Sequence, residues 1–294
     1  MLGHRLHYSY ARARFAWDRF RNHAKLRRKF RAKHGYDLSL DPPITHSDKI
    51  QHRKLFDHNP IYPRLTDKIE ARAVVDELLG AGSADRYMVP LLAVADRFED
   101  LDPALMQRGV IIKASHGSGW NQIVRPGSQA DWDTARKRAK YWLARVYGLN
   151  HFEWAYRELT PRLLVEPLLP ERSDRRTLDL KIYVYDGVIH YHMQADNRCD
   201  PVKFSVYSET FDYVEMTWAG IDPYDFVVPD GMAEIQDVAR ALAAGFDTLR
   251  VDFLVTEDRW YLGELTLHDG SGMIKFGSYE EDKLMGAPWV VRGR

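Results

Sequence analysis

Arg250 and Asp252 stand in one apolar run, Thr248–Val255, and Glu264 and Thr266 in the next, Trp260–Leu267. Only Thr256–Arg259 separates them, so the two runs read as strands joined by a tight turn. Side chains alternate along a strand, which puts Arg250 and Asp252 on one face and Glu264 and Thr266 on one face of the partner. Pairing across the turn brings Asp252 near Glu264. A carboxylate in an apolar strand is costly to bury unless something positive meets it. Mg2+ suits that role, being a hard ion that takes carboxylates, water and substrate phosphates. Arg250 beside them is suited to neutralise a transferring phosphate. The plainer alternative is that Arg250 simply pairs with one of the two acids.

A second group of candidates is cationic. Lys113 lies in the apolar, β-branched run Gly109–Ala114, which reads as a buried strand. His116-Gly117-Ser118-Gly119-Trp120-Asn121 and then Ile123-Val124 follow, giving strand, glycine turn and strand. Glycines let backbone N–H groups approach phosphate oxygens with no Cβ in the way, and lysine adds a point charge. The turn is not a P-loop, because no Gly-Lys-Ser/Thr follows. Lys181 stands on another apolar strand and Lys68 at the start of a helix. A lone strand lysine is usually an edge guard. Three lysines, one glycine tip and one two-acid hairpin are together the ingredients of a phosphate site. Glu166 ends Leu163-Leu164-Val165 ahead of Pro167 and Leu168, a run able to offer backbone groups to an adenine edge.

These residues need elements to hold them. A helix capped by Asp67 carries Ile69, Ala73, Val74 and Leu78 and stops at Gly80. Tyr87–Leu92 reads as a short strand, and 131–147 as a helix capped by Asp131 or Asp133. Arg162–Leu169 reads as a strand stopped by prolines. Asp179–Tyr185 alternates, with Asp179, Lys181, Tyr183 and Tyr185 on one face and Leu180, Ile182 and Val184 on the other. Asp186-Gly187 turns it into Val188–Gln194. Met232–Phe246 is an alanine-rich amphipathic helix. The stretch 35–65, broken by Asp41-Pro42-Pro43, Asn59-Pro60 and Tyr62-Pro63, reads as a linker or an irregular entry to the fold. This order of elements predicts an α+β protein with several antiparallel hairpins.

Composition sets the class. With 45% hydrophobic and 29% charged residues, the 294-residue chain is expected to be a soluble globular protein. No apolar run reaches the ~20 residues of a membrane span, and the basic first residues lack the apolar core of a secretory signal. Cys199, the single cysteine, excludes an internal disulfide or a cysteine-cluster metal site. A cytoplasmic location is expected. The formal charge of zero hides an asymmetry: residues 1–33 carry eleven Lys or Arg against one acid, Asp18. Tyr8, Tyr10, Phe15, Trp17, Phe20 and Phe30 are interleaved with them. Such a segment can lie on an anionic membrane or pack against its own acidic body. The first reading predicts peripheral docking at the inner membrane face, with Phe15, Trp17, Phe20 and Phe30 inserted; no nucleic-acid partner is expected.

From about Thr66 to Gly286 the chain resembles the TupA-like ATP-grasp proteins. The resemblance rests on ordered blocks: Asp67-Lys68; Val89-Pro90-Leu91; Val110 to Val124 with Lys113, His116, Gly119 and Asn121; the strand around Glu166; Asp179-Leu180-Lys181; Asp196-Asn197-Arg198; Arg250-Val251-Asp252; and Gly263-Glu264-Leu265-Thr266. It implies an ATP-grasp fold, two α+β subdomains gripping the nucleotide between antiparallel sheets. The glycine loop would lie at about 110–165 and the metal ligands at about 166–290 of a catalytic domain spanning 61–290, behind a basic helical extension and linker at 1–60.

It further implies that Lys68 and Lys113 reach ATP phosphates, that His116, Gly117, Ser118, Gly119 and Asn121 form the loop over them, and that Lys181 lies near the nucleotide. Glu166 and Leu168 resemble the adenine-contacting positions, with Glu171 or Asp174 a ribose partner. Asp252 and Glu264 resemble magnesium ligands for one or two ions, with Mn2+ a substitute, and Arg250 the cation on the transferring group. Familiar ATP-grasp ligases have Asn two residues after the metal-binding Glu. Here Thr266 stands instead, so its hydroxyl, or His268 and Asp269, is left to take the role. The implied activity is a carboxylate–amine ligase working through an acyl phosphate, on a uronic acid or amino-acid carboxyl of a surface polysaccharide. The alternatives are an ATP-grasp kinase acting on a hydroxyl and a non-enzymatic module that keeps only the fold.

Overall fold

A computed structural model describes residues 2–148, 151–170, 177–196, 203–216 and 226–292. The basic segment folds as two helices, α1 (Leu2–Phe20) and α2 (Ala24–His34). Leu26 and Phe30 of α2 are fully buried with Leu38, Leu40 and Phe152, and Phe15 of α1 meets the Phe152 ring edge-on. The stretch 35–65 is not an irregular linker or entry, since it contains α3 (His46–Phe56) and the short α4 (Tyr62–Thr66). Thr45 and Asp48 form a reciprocal capping box at the head of α3. Apolar periodicity misses this helix because its buried positions include His46, Ser47, Asp48, Gln51, His52, Arg53 and Lys54.

Asp67 accepts the Ile69 and Glu70 N–H groups at the head of α5 (Glu70–Leu79). The strand expected over Tyr87–Leu92 does not form. Helix α6 (Ser83–Tyr87) ends there, Met88 makes a single bridge to Leu262, and β1 is Ala93–Ala95. Pro90 has no N–H to give a ladder at the centre of the expected strand. After α7 (Leu105–Arg108), β2 (Val110–Ala114) and β3 (Asn121–Val124) make the expected hairpin around the glycine turn. Helix α8 (Gln129–Leu143) is capped by Ser128 rather than by Asp131 or Asp133; Asp131 instead holds Arg125. Strand β4 (Leu163–Pro167) lies between β1 and β2 and completes a four-stranded antiparallel sheet, β1-β4-β2-β3.

The second half supplies β5 (Leu178–Tyr185), β6 (Val188–Asp196) and β7 (Lys203–Tyr207), then α9 (Met232–Ala243), β8 (Thr248–Val255), β9 (Trp260–Thr266) and α10 (Tyr279–Gly286). The sheet order is β7-β6-β5-β8-β9, again antiparallel. One face buries Leu180, Ile182, Val184, Leu249, Val251 and Phe253 against Ile235, Ala239 and Leu242 of α9. Part of the other face is covered where Tyr183 and Tyr185 pack with Ile50, Met285 and Trp289. Asp179 and Lys181, further along β5, line a cavity instead. No helix among the described residues is long and apolar enough to cross a membrane.

Helix α3 is stapled to this sheet by charge. Arg53, 1% exposed, donates to the Asp247 carboxylate, to Thr248 O at 3.1 Å and to Leu267 O at 3.2 Å. Trp289 Nε1 donates to the other Asp247 oxygen at 2.9 Å, and the Arg53 guanidinium lies 4.6 Å over the Trp289 ring. Asp247→Ala leaves a buried guanidinium without its counter-charge, which is expected to cost about 3–5 kcal/mol. Urea denaturation checks this, with Asp100→Ala as the control because its pair with Arg97 is on the surface. Equal midpoints for the two variants would mean that the staple contributes nothing.

Candidate functional site

The register of three strands builds one wall of the site. Pairing of β5, β8 and β9 sets Lys181, Asp252 and Glu264 in one cross-strand row, and Tyr183, Arg250 and Thr266 in the next. The alternation along β9 is broken by a bulge: Asp252 pairs with Glu264, but Phe253 pairs with Leu262, leaving Gly263 extra. The bulge lets Trp260 and Leu262 on one side of it, and Leu265 on the other, all reach the same core while Glu264 stays on the cavity face. A Cβ on Gly263 would stand 3.3 Å from Asp252 O, so this position favours glycine.

Arg250 is held on both sides. Its Nε and Nη2 donate to the two Asp252 oxygens at 2.7 Å each, its Nη1 to Asp269, and its Nη2 also to Thr266 Oγ1 at 3.2 Å. Tyr183 Oη donates to the second Asp269 oxygen at 2.6 Å. Burial works against the guanidinium charge, but Asp252 and Asp269 outweigh it and hold its pKa well above the ordinary value. Burial pushes the Asp252 carboxyl up, against the pull of Arg250 and Lys181. The plainer sequence alternative, Arg250 paired with an acid, therefore describes Asp252, and Asp269 is a further partner.

The other wall comes from the four-stranded sheet and the glycine turn. Lys113 Nζ donates to Glu166 at 2.5 Å, a diagonal contact between β2 and β4. Lys68 Nζ donates to Gly117 O at 3.0 Å and lies 3.6 Å from Glu264. Gly117 has no room for a side chain, since a Cβ would meet the Trp120 ring at 2.7 Å. Lys181 Nζ donates to Asp179 at 2.5 Å and lies 3.9 Å from Asp252. Lys68, with Arg250, Lys113 and Lys181 behind it, holds the Glu264 carboxyl below its ordinary value despite desolvation. The Glu264 side chain is 38% exposed, so solvent screens much of that effect. A cavity of about 380 Å³ lies between the walls, lined by Lys68, Lys113, Lys181, Arg250, Glu166, Asp179, Asp252 and Glu264 together with Gly119 and Asn121.

Not every expected residue faces that cavity. His116 is buried, with its Nε2 against Trp142 O at 3.1 Å, and ties the glycine turn to α8. Gly117 takes part through its carbonyl oxygen. Leu168 is 41% exposed and its N–H goes to Gly109 O. Ser118 and Thr266 line a second cavity of about 260 Å³, behind Arg250 and Glu264, with Tyr147, His151, Glu153, Tyr156 and His268. Glu171, Asp174, Asn197 and Arg198 lie outside the described residues. Glu153 escapes a sequence reading because its neighbourhood carries no motif. It lies 3.7 Å from His268 Nδ1 and is buried. Burial works against its charge, yet His268, Lys54 and Ser271 outweigh it and keep the carboxyl below its ordinary value.

The lysine-lined cavity can bind a polyphosphate together with a hard cation. Its four cations pair with four carboxylates: Lys68 with Glu264, Lys113 with Glu166, Lys181 with Asp179, and Arg250 with Asp252. A phosphate chain alone would take cations from their partners and leave carboxylates facing phosphate. A cation alone would do the reverse, whereas both together give the lysines phosphate oxygens and give Asp252 and Glu264 a cation, with Arg250 still held by Asp269. Among the described residues no three His, Cys, Asp or Glu side chains form a ready cage. Two carboxylates on one wall nonetheless fit Mg2+, which keeps waters and takes phosphate oxygens.

Residues 48–290 match the family described as TupA-like ATPgrasp. Comparison with curated protein sequences gave no significant match. Among solved structures the chain is similar to D-alanine–D-alanine ligase from Bacillus anthracis, at 12% identity and TM-score 0.42 over 69% of this chain and 56% of that one. It is similar to the ATP-grasp ligase PsnB, complexed with a phosphomimetic variant of minimal precursor, Mg and ADP, at 13% identity and TM-score 0.42 over 78% and 59%. It is also similar to the D-cycloserine synthetase DcsG, at 14% identity and TM-score 0.41 over 78% and 72%. The chain spans less than two thirds of the length of the first two.

The pairing pattern predicts linked binding. ATP and Mg2+ added together should raise the melting temperature by more than the sum of their separate shifts, reaching ~2.7 kcal/mol of stabilisation at 100 times the Kd. Glu264→Gln should stay folded and lose most of the Mg2+-dependent part. Additive shifts, or no shift at millimolar ATP and Mg2+, would rule out the exchange.

Proposed function

The chain belongs to the TupA-like ATP-grasp family, and from that membership we propose that it is an ATP- and Mg2+-dependent carboxylate–amine ligase that works through an acyl phosphate. A substrate carboxylate oxygen attacks the γ-phosphorus of ATP, the bond to the β-phosphate oxygen breaks, and ADP leaves. An amine nitrogen then attacks the acyl carbon, the bond to phosphate breaks, and phosphate and a proton are released with the amide. The observation that carries this reading is that Arg250 and Glu264 line both cavities. A cation shared between a phosphate chamber and an acceptor chamber is where a carboxylate must sit to meet the γ-phosphate.

Lys68, Lys113 and Lys181 orient the phosphate chain, and Arg250 neutralises charge on the transferring group and the acyl oxygen. Mg2+ held by Asp252 and Glu264 would screen the phosphates against the incoming carboxylate. The second cavity, at about 260 Å³, is near the lower limit for ligand sites. It suits a small acceptor group, with the rest of a larger substrate outside. Glu153, ionised and buried at its wall, would anchor the amine partner away from Arg250, so that the acid and the amine arrive from opposite ends. From the family resemblance, we assign the acid to a uronic acid or amino-acid carboxyl of a surface polysaccharide or its precursor.

Incubation with ATP, Mg2+ and candidate acids and amines should yield ADP, free phosphate and an amide in equal amounts. Hydroxylamine in place of the amine should trap the activated acid as a hydroxamate. A phosphorylated alcohol without free phosphate identifies a kinase and ends the ligase reading. Asp252→Asn should reduce turnover by several orders of magnitude. Because it weakens a buried ion pair with Arg250, its stability is to be measured alongside. Glu153→Gln should raise the KM of the amine about ten-fold or more while leaving the ATP- and Mg2+-dependent thermal shift unchanged. An unchanged amine KM would remove Glu153 from the acceptor site.

A further inference from the structure

Helix α1 has two apolar faces, and the body covers only one of them. Ala11 and Asp18 are buried and Phe15 packs on Phe152. At about 100° per residue, the side chains on the far side are Leu6, Tyr10, Trp17 and Phe20, which fall on one stripe along the helix. They are 66%, 59%, 61% and 82% exposed, and the Trp17 and Phe20 rings stack at 5.9 Å. A stripe of large apolar side chains at this exposure marks an interaction surface. The sequence expectation is corrected in its residues: Phe30 is fully buried and Phe15 is held by Phe152, so neither is available to a partner.

Charge identifies the partner. Arg14 lies at one edge of the stripe and Arg12 and Arg19 toward the other, with Arg21 in the turn after α1 and Arg28 on α2. None of these five pairs with an acidic side chain among the described residues. Burial, and then the nearby Arg14, lower the pKa of Lys25 and Lys29, so the cations of α1 and α2 repel one another. An anionic surface relieves that repulsion. A central apolar stripe with cations at its edges matches the layering of a bilayer interface, acyl chains beneath and anionic headgroups around. A nucleic-acid duplex offers phosphate with its base faces stacked out of reach of an apolar stripe. A second copy of this chain would bring arginines against arginines.

We propose that α1 seats the protein peripherally on an anionic lipid surface, with Leu6, Tyr10, Trp17 and Phe20 in the interface and the flanking arginines on headgroups. Sedimentation of the full chain with vesicles of phosphatidylcholine, with and without phosphatidylglycerol, tests it. Binding is expected only to the anionic vesicles, and it should weaken at high salt. Trp17→Ser/Phe20→Ser should lower vesicle affinity about ten-fold or more. Both positions are exposed, so the thermal shift with ATP and Mg2+ should not change. Three results would overturn the proposal. The full chain stays in the supernatant with anionic vesicles at low salt. The double variant binds as wild type. Or the stripe supports a dimer, seen as concentration-dependent association that the double variant abolishes, without vesicle binding.

Discussion

The site depends on the register of β5, β8 and β9. Side chains alternate along each strand, so one residue of slip would turn Arg250, Asp252 and Glu264 toward α9 and bring Val251 and Phe253 out to the cavity. The core therefore enforces the chemistry: burying Leu249, Val251 and Phe253 against α9 fixes which side chains face the other way. The bulge at Gly263 reconciles two demands on β9. It lets Leu262 and Leu265 share one core although they are three residues apart, and it keeps Glu264 opposite Asp252.

A second constraint is electrical. Buried charges must be paired, and the four cations of the lysine-lined cavity each meet a carboxylate. Such a site is close to neutral, so it does not draw polyphosphates in by a large field. Under the proposed function, its affinity would rest on exchanging one set of partners for another. Arg250 differs from the lysines because Asp269 as well as Asp252 holds it, and Asp269 is fixed in turn by Tyr183. The lysines are free to follow a phosphate chain, while the guanidinium is a fixed post between the two cavities.

The segment ahead of the family match divides its work between fold and surface. Helix α2 and one face of α1 complete a small core with Leu38, Leu40 and Phe152. The other face of α1 carries large apolar side chains into solvent. Phe30 is intramolecular, while Trp17 faces outward on the stripe from which membrane docking is proposed.

Local patterns determined much of this protein. Period-two alternation placed Asp179, Lys181 and Tyr183 on one face of β5, and placed Arg250 with Asp252 opposite Glu264 with Thr266. Glycine spacing located the hairpin tip after Lys113. These features were legible because strand geometry makes them properties of a few consecutive residues. Helix α3 was not, because its buried face is polar and its groups meet distant partners: Arg53 meets Asp247, Lys54 meets Ser271 O, and the Ser47 N–H meets Asp282. Long-range pairings of this kind leave no periodic trace. The same holds for Asp269 on Arg250, for Glu153 beside His268, and for His116 turned onto Trp142 O away from the lysines. Sequence determined which residues could do the chemistry. Tertiary structure alone decided which of them share a cavity, because that depends on how two sheets and the polar helix α3 pack, and packing is set by contacts between residues far apart in the chain.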